Sequence, residues 1–124
     1  MKRVIIIAAL LVVSVVLTVT ANAEERFGVA VYPGAKYDEA TSKSLKESMQ
    51  LTAACFRTND SVDKVTAFYK KQKGLSLLGD ATKEGALFRS PSGVDVTIQS
   101  PWMNMKTGGM MKDTLISIVK MPAP

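Results

Sequence analysis

Trp102-Met103-Asn104-Met105, followed by Met110-Met111, gathers four of the chain's seven methionines and its single tryptophan into ten residues. Thioether sulfur is a soft donor suited to copper(I), and methionines two apart share one side of an extended segment. Met103, Met105, Met110 and Met111 therefore form a candidate copper(I) ligand set, with the indole of Trp102 to shield the ion. The same residue types suit adaptable apolar contacts, which makes Trp102, Met103 and Met105 a candidate surface for an unknown protein partner. In a third reading the methionines flank a Lys106-Thr107-Gly108-Gly109 hairpin turn and pack with Trp102 on a sheet.

Other chemistry is limited by what the chain lacks. It contains no histidine, which removes imidazole triads, imidazole proton shuttles and the commonest metal ligand. A single cysteine excludes a thiolate zinc site and an internal disulfide framework. No phosphate-cradling glycine loop is present. Ser61-Val62-Asp63-Lys64 and Lys106-Thr107-Gly108 match two elements of serine penicillin-binding enzymes. No Ser-Asp-Asn element lies between them, and the chain is far too short for that two-part fold. Asp60 and Asp63 fit a helix start, and Asp80, Glu84, Asp95 and Asp113 are scattered without acid and base spacing. The expectation is a non-enzymatic protein with no catalytic residues.

The N-terminus indicates a compartment. Lys2 and Arg3 precede a largely apolar run from Val4 to Val19, and Ala21-Asn22-Ala23 has the small-x-small form of a cleavage site. Residues 1–23 are expected to be a cleaved secretory signal peptide, leaving 24–124 as one α+β domain, exported to the periplasm or beyond. The run of 16 residues is shorter than the ~20 of a spanning helix, so no stable membrane anchor is expected after cleavage. Lipid attachment would need a cysteine at the cleavage site, and Cys55 lies far from it. Without Lys2 and Arg3, 14 basic residues face 11 acidic ones, so the net charge falls from +5 to +3. This mild charge speaks against nucleic acid as a partner. Cys55, within Leu51-Thr52-Ala53-Ala54-Cys55-Phe56, reads first as a small buried hydrophobe, with an exposed thiol forming an intermolecular bridge as the alternative.

The elements that must position these residues follow from periodicity. Phe27 to Tyr32 predicts a strand that stops at Pro33-Gly34. Tyr37, Thr41, Leu45 and Met49 recur every four residues, which fits a short second helix over about 38–48 with Asp38 as its cap, while the abundance of serine and threonine fits an irregular loop instead. Leu51 to Arg57 predicts a strand. The main helix, about 60–73, is expected to start at an Asp60 cap and to carry the apolar stripe Val62, Val65, Phe68 and Tyr69. Lys70, Lys71 and Lys73 suit its C-terminal end, with Gly74 as the stop. Gly85 to Ser90 and Val94 to Gln99 predict a hairpin across Pro91-Ser92-Gly93, with Asp95, Thr97 and Gln99 on a wet face. Thr114 to Met121 is apolar on both faces, which suits an interior strand, and Pro122-Ala123-Pro124 is expected to fray. Together these give an α+β fold: an antiparallel sheet of about four to five strands with the main helix packed on one face.

Two resemblances add to this reading. Tyr32-Pro33-Gly34-Ala35-Lys36, then Thr58-Asn59-Asp60-Ser61-Val62, Lys64-Val65 and Phe68-Tyr69-Lys70, resemble a pattern in small uncharacterised exported bacterial proteins. That resemblance implies a helix-on-sheet fold outside the cytoplasm and carries no catalytic residues with it. The Trp102-Met103-Asn104-Met105 segment is similar to the Trp-Met-x-Met segment of periplasmic copper(I) carriers, which also use a histidine that this chain lacks. A binding or assembly domain without a cofactor is the first expectation, and a periplasmic copper(I)-binding protein the alternative.

Overall fold

The computed structural model describes residues 24–122. The expected signal peptide over 1–23 and the end of the C-terminal tail lie outside the described residues. The described elements are β1 (Glu25–Arg26), β2 (Val29–Ala30), β3 (Lys36–Tyr37), α1 (Glu39–Met49), β4 (Thr52–Thr58), α2 (Val62–Lys70), β5 (Ser76–Leu77), β6 (Gly85–Arg89), β7 (Val94–Gln99), β8 (Trp102–Met103), β9 (Met110–Met111) and β10 (Thr114–Lys120). A six-stranded sheet runs β3-β4-β10-β7-β6-β5, and β1–β2 and β8–β9 form separate hairpins. Every pairing is antiparallel. Among the described residues the fold is α+β with two helices. Six strands stand against the expected four to five because β3 and β5, two residues each, are too short to show alternation. Among the described residues no helix is long and apolar enough to cross a membrane.

β10 is the interior strand its two apolar faces predict, between β4 and β7. Its Ile116 and Ile118 share a face with Ala54 and Phe56 of β4 and with Val96 and Ile98 of β7, and this face is the main core. Val62, Val65 and Tyr69 of α2 are buried in that core with Phe68 partly buried against it, as the helical stripe predicts. A nine-residue helix is marginal in water by itself, so packing on the sheet holds α2 in place. The Tyr69 hydroxyl also donates to the Ala30 carbonyl at 2.9 Å, tying α2 to β2. Gly85 permits close strand approach, since a Cβ there would stand 2.7 Å from the Ile98 carbonyl oxygen.

Four local expectations are corrected. Ser61, not Asp60, caps α2, and its Oγ accepts the Lys64 N–H at 3.2 Å. Asp60 is otherwise engaged: its carboxylate accepts the Tyr32 hydroxyl at 2.6 Å and its carbonyl accepts the Thr114 hydroxyl at 2.7 Å. The helix ends at Lys70 rather than 73, so Lys71 is its C-cap and Lys73 lies beyond it. Phe27 and Gly28 form the β1–β2 turn, with φ of 54° and 80°, instead of opening a strand, because a two-residue turn of this kind needs positive φ at both positions. Asp95 is not wet: Arg89 donates to both its carboxylate oxygens, at 2.7 and 3.0 Å, and covers it down to 8% exposure.

The other sheet face carries Cys55 and Arg57 of β4 and Leu115 and Ser117 of β10. Helix α1 lies against β4 on this side, with Asp38 as its cap as expected, accepting the Thr41 N–H at 3.1 Å. Its inward anchor is polar. The Ser42 hydroxyl donates to the Asp38 carbonyl and accepts the Cys55 N–H, each at 2.8 Å. This pairs a β4 donor that the two-residue β3 does not reach. Of the residues spaced four apart, Tyr37 lies in β3 and is exposed, Met49 is exposed at the end of α1, and Leu45 packs inward. Ser42→Ala should orphan the buried Cys55 N–H and cost about 1–3 kcal/mol of stability, readable by denaturant unfolding. A loss below a few tenths would contradict this account of how α1 docks.

Candidate functional site

β8 and β9 turn the Trp and Met segment into a hairpin in which Trp102 pairs with Met111 and Met103 with Met110. The connection is tightly bonded. Asn104 Oδ1 accepts the N–H groups of Lys106 and Thr107 at 3.0 and 3.3 Å, and the Asn104 carbonyl accepts that of Gly108 at 2.7 Å. The Asn104 N–H donates to the Gly109 carbonyl at 2.9 Å, and the Gly109 N–H to Thr107 Oγ1 at 3.2 Å.

Successive strand residues point to opposite sides, so the hairpin has two unlike faces. Trp102, at 3% exposure, and the partly buried Met111 pack with Cys55, Leu115 and Leu45. Met103 and Met110 form a cross-strand pair on the outer face, at 60% and 58% exposure, and Met105 in the turn is 60% exposed. The structure thus separates the residues that the sequence groups together. Trp102, expected on the contact surface, lies inside, and its indole is on the side away from Met103 and Met110. Met111 is parted from Met103 and Met110 in the same way. Met103 and Met105 do not share an extended strand, because β8 ends at Met103 and Asn104 opens the turn.

An ionic node holds the inner face. The Trp102 indole N–H donates to Asp113 Oδ1 at 3.0 Å, and Arg57 Nε donates to Asp113 Oδ2 at 2.7 Å. The guanidinium of Arg57 also stands 3.6 Å from Asp38 Oδ2 and 5.1 Å from the centre of the Trp102 ring. Each Asp38 and Asp113 carboxylate oxygen therefore faces a structural donor: Thr41 and Arg57 for Asp38, Trp102 and Arg57 for Asp113. The hydrogen bond to Asp113 is the main influence holding the Arg57 pKa above its ordinary value. Burial pushes the Cys55 thiol up as well, against hydrogen bonding with Ser117 and Ser42, so this thiol is held protonated.

Beside the node lies a cleft of ≈ 670 Å³ lined by Pro33, Gly34, Lys36, Tyr37, Arg57, Asn59, Asp60 and their neighbours. It lies between the segments around Pro33-Gly34 and Asn59-Asp60, which the Tyr32 to Asp60 hydrogen bond joins. That bond, more than burial, raises the Tyr32 pKa. Among the described residues no group of three or more histidine, cysteine, aspartate or glutamate side chains is arranged to hold a metal ion. Ser61 spends its hydroxyl on the helix cap, and Lys106-Thr107-Gly108 lies in the hairpin turn rather than on a sheet strand.

Sequence reading missed Arg57, Asp38 and Asp113 as a unit. The available signal was Arg57 itself, a charge in phase with Cys55 on a strand that reads as buried, which demands a paired carboxylate. Nothing local names that partner, 56 positions away. Asp113→Ala removes the acceptors of Arg57 and Trp102 together. Because Arg57 is partly solvated, the expected loss is about 2 kcal/mol, with the Trp102 fluorescence shifting to the red as the hairpin loosens. Unchanged emission would contradict the role given to Asp113.

Comparison with protein-family models, with curated proteins and with solved structures gives no match for this chain, so the chemistry of the site is taken from its own geometry.

Proposed function

We propose that this chain is a non-enzymatic exported domain that acts through binding or assembly, and that the outer face of the β8–β9 hairpin is its contact surface. One observation carries the reading: Met103, Met105 and Met110 are largely exposed on a hairpin whose opposite face is fixed by Trp102, Asp113 and Arg57. Flexible thioether side chains on a fixed platform suit an apolar partner surface, since the side chains adapt while the backbone loses little freedom on binding. Trp102 then acts as the buttress of the surface and not as part of it. The engagement of the Asp38 and Asp113 carboxylates by structural donors supports the absence of acid and base work at the node. Export rests on the residue pattern of positions 1–23. Likeness to small exported bacterial proteins is in keeping with that address.

A photoreactive side chain placed at position 103 or 105 in cells of the native host should cross-link a partner. The same group at position 49, equally exposed on α1, should not. Equal capture at all three positions, or none at the hairpin, would sink the contact reading.

The cross-strand pairing of Met103 with Met110 favours one second reading, a copper(I) site, because it brings two thioethers to the same face. Titration of the chain with reduced copper separates the two. The contact reading expects no saturable binding tighter than about 1 μM, near −8 kcal/mol. Tighter binding that is lost in Met103→Leu with Met110→Leu would replace it with the carrier reading.

A further inference from the structure

We propose that the exposed methionines of the β8–β9 hairpin, Met103 and Met110 on its outer face and Met105 in its turn, form a reversible oxidation site, at which hydrogen peroxide converts them to methionine sulfoxide and so turns an apolar surface polar. The regulatory meaning of this site rests on the contact reading above, whereas the chemistry does not.

The argument starts from where sulfur lies. Cysteine is ordinarily the first sulfur to meet an oxidant, but reactivity requires an accessible thiolate. Cys55 has no exposed surface and its thiol is held in the protonated form. Oxidant therefore meets thioethers first. Three of the exposed ones stand on one hairpin, two of them as direct cross-strand neighbours, while Met111 is turned inward beside Trp102. In the step itself the thioether lone pair attacks one peroxide oxygen. The O–O bond breaks, an S–O bond forms, and the second oxygen leaves as water. Sulfur loses two electrons and peroxide gains them. A thiol-dependent reductase returns the sulfoxide to the thioether, with a disulfide and water as products.

The geometry also confines the consequence to the surface. The contacts that hold the hairpin are the turn bonds around Asn104, the inner bonds from Trp102 and Arg57 to Asp113, and the packing of Trp102 and Met111 on Leu115, Cys55 and Leu45, and none of them involves the sulfur of Met103, Met105 or Met110. Oxygen added to the outer face alters what the face can bind and leaves the platform standing.

The test treats the full chain with hydrogen peroxide, follows each methionine by peptide mass spectrometry, and reads the surface by retention on a phenyl resin. Met103, Met105 and Met110 should convert at least about fivefold faster than Met111, with retention falling in step. The Trp102 emission should stay where it is. Replacing all three hairpin methionines with leucine should abolish most of the loss of retention, the remainder coming from the exposed Met49 and Met121, whereas Met49→Leu should lose nearly as much as the parent chain does. Reductase with dithiothreitol should restore retention. Conversion of Met111 as fast as the outer three, a red-shifted Trp102, or equal loss of retention in the leucine variant would each overturn the proposal. The photo-cross-links separate its failure from that of the contact reading. Cross-links that survive complete sulfoxide formation refute the switch and keep the surface; outer methionines that oxidise as described without any cross-link refute the surface and keep the oxidation site.

Discussion

One guanidinium settles how the second face of the sheet is closed. Arg57 projects from β4 beside Cys55 and Leu115, where a lone charge would be costly. Asp113 and Asp38 offset that cost from two directions, and the Trp102 ring lies against the cation. Because each partner belongs to a different segment, satisfying the charge also fixes the start of α1, the approach to β10 and the inner face of the β8–β9 hairpin. Breaking such a node costs more than making it contributes, since an unpaired charge is left behind. The arrangement therefore specifies where segments lie more than it adds stability.

Stability comes from the opposite face. Ile116 and Ile118 of β10 join β4 to β7, and Phe56, Val96, Ile98, Phe88 and the inward side of α2 close over them. Full burial of side chains of this size is worth about 1.5–3 kcal/mol each, well above the yield of the partly solvated ion pairs. The two faces thus divide the work. An apolar core holds the sheet and α2 together, and a polar network sets α1 and the hairpin in register on the other side. Ser42 belongs to that network, as its hydroxyl joins the first turn of α1 to the backbone of Cys55.

This division bears directly on the hairpin. A short two-stranded ribbon has little stability in water unless something holds one of its faces. Here the inner face is held by bonds to Asp113 and by contact with Leu115 and Cys55, which leaves the outer face free of any structural duty. The exposed methionines on this element make none of the bonds that hold it, and their sulfur chemistry is open to solvent. The same separation explains why neither copper nor a partner is needed to account for Trp102.

Local patterns in the chain determined a good deal. The α2 stripe, the alternation of β7, the two-sided β10, the Asp38 cap and the β6–β7 hairpin all follow from periods of 3.6 or 2 and from turn residues, which are properties of neighbours in sequence. Burial of Cys55 was legible in its small apolar surroundings. The short strands β3 and β5 were not, since two residues carry no period. Only the tertiary structure decided the rest. Asp60 reads as a helix cap until Tyr32, 28 positions earlier, claims its carboxylate and Ser61 takes over the cap. Asp95 reads as wet until Arg89 on the adjacent strand covers it. Trp102 and Met103 read as one surface until Asp113 and Leu115 draw the indole inward and the pleat sends the next side chain out. In each case the deciding partner is set by strand order and register, and a strand's own residues do not encode which distant segment will lie beside it.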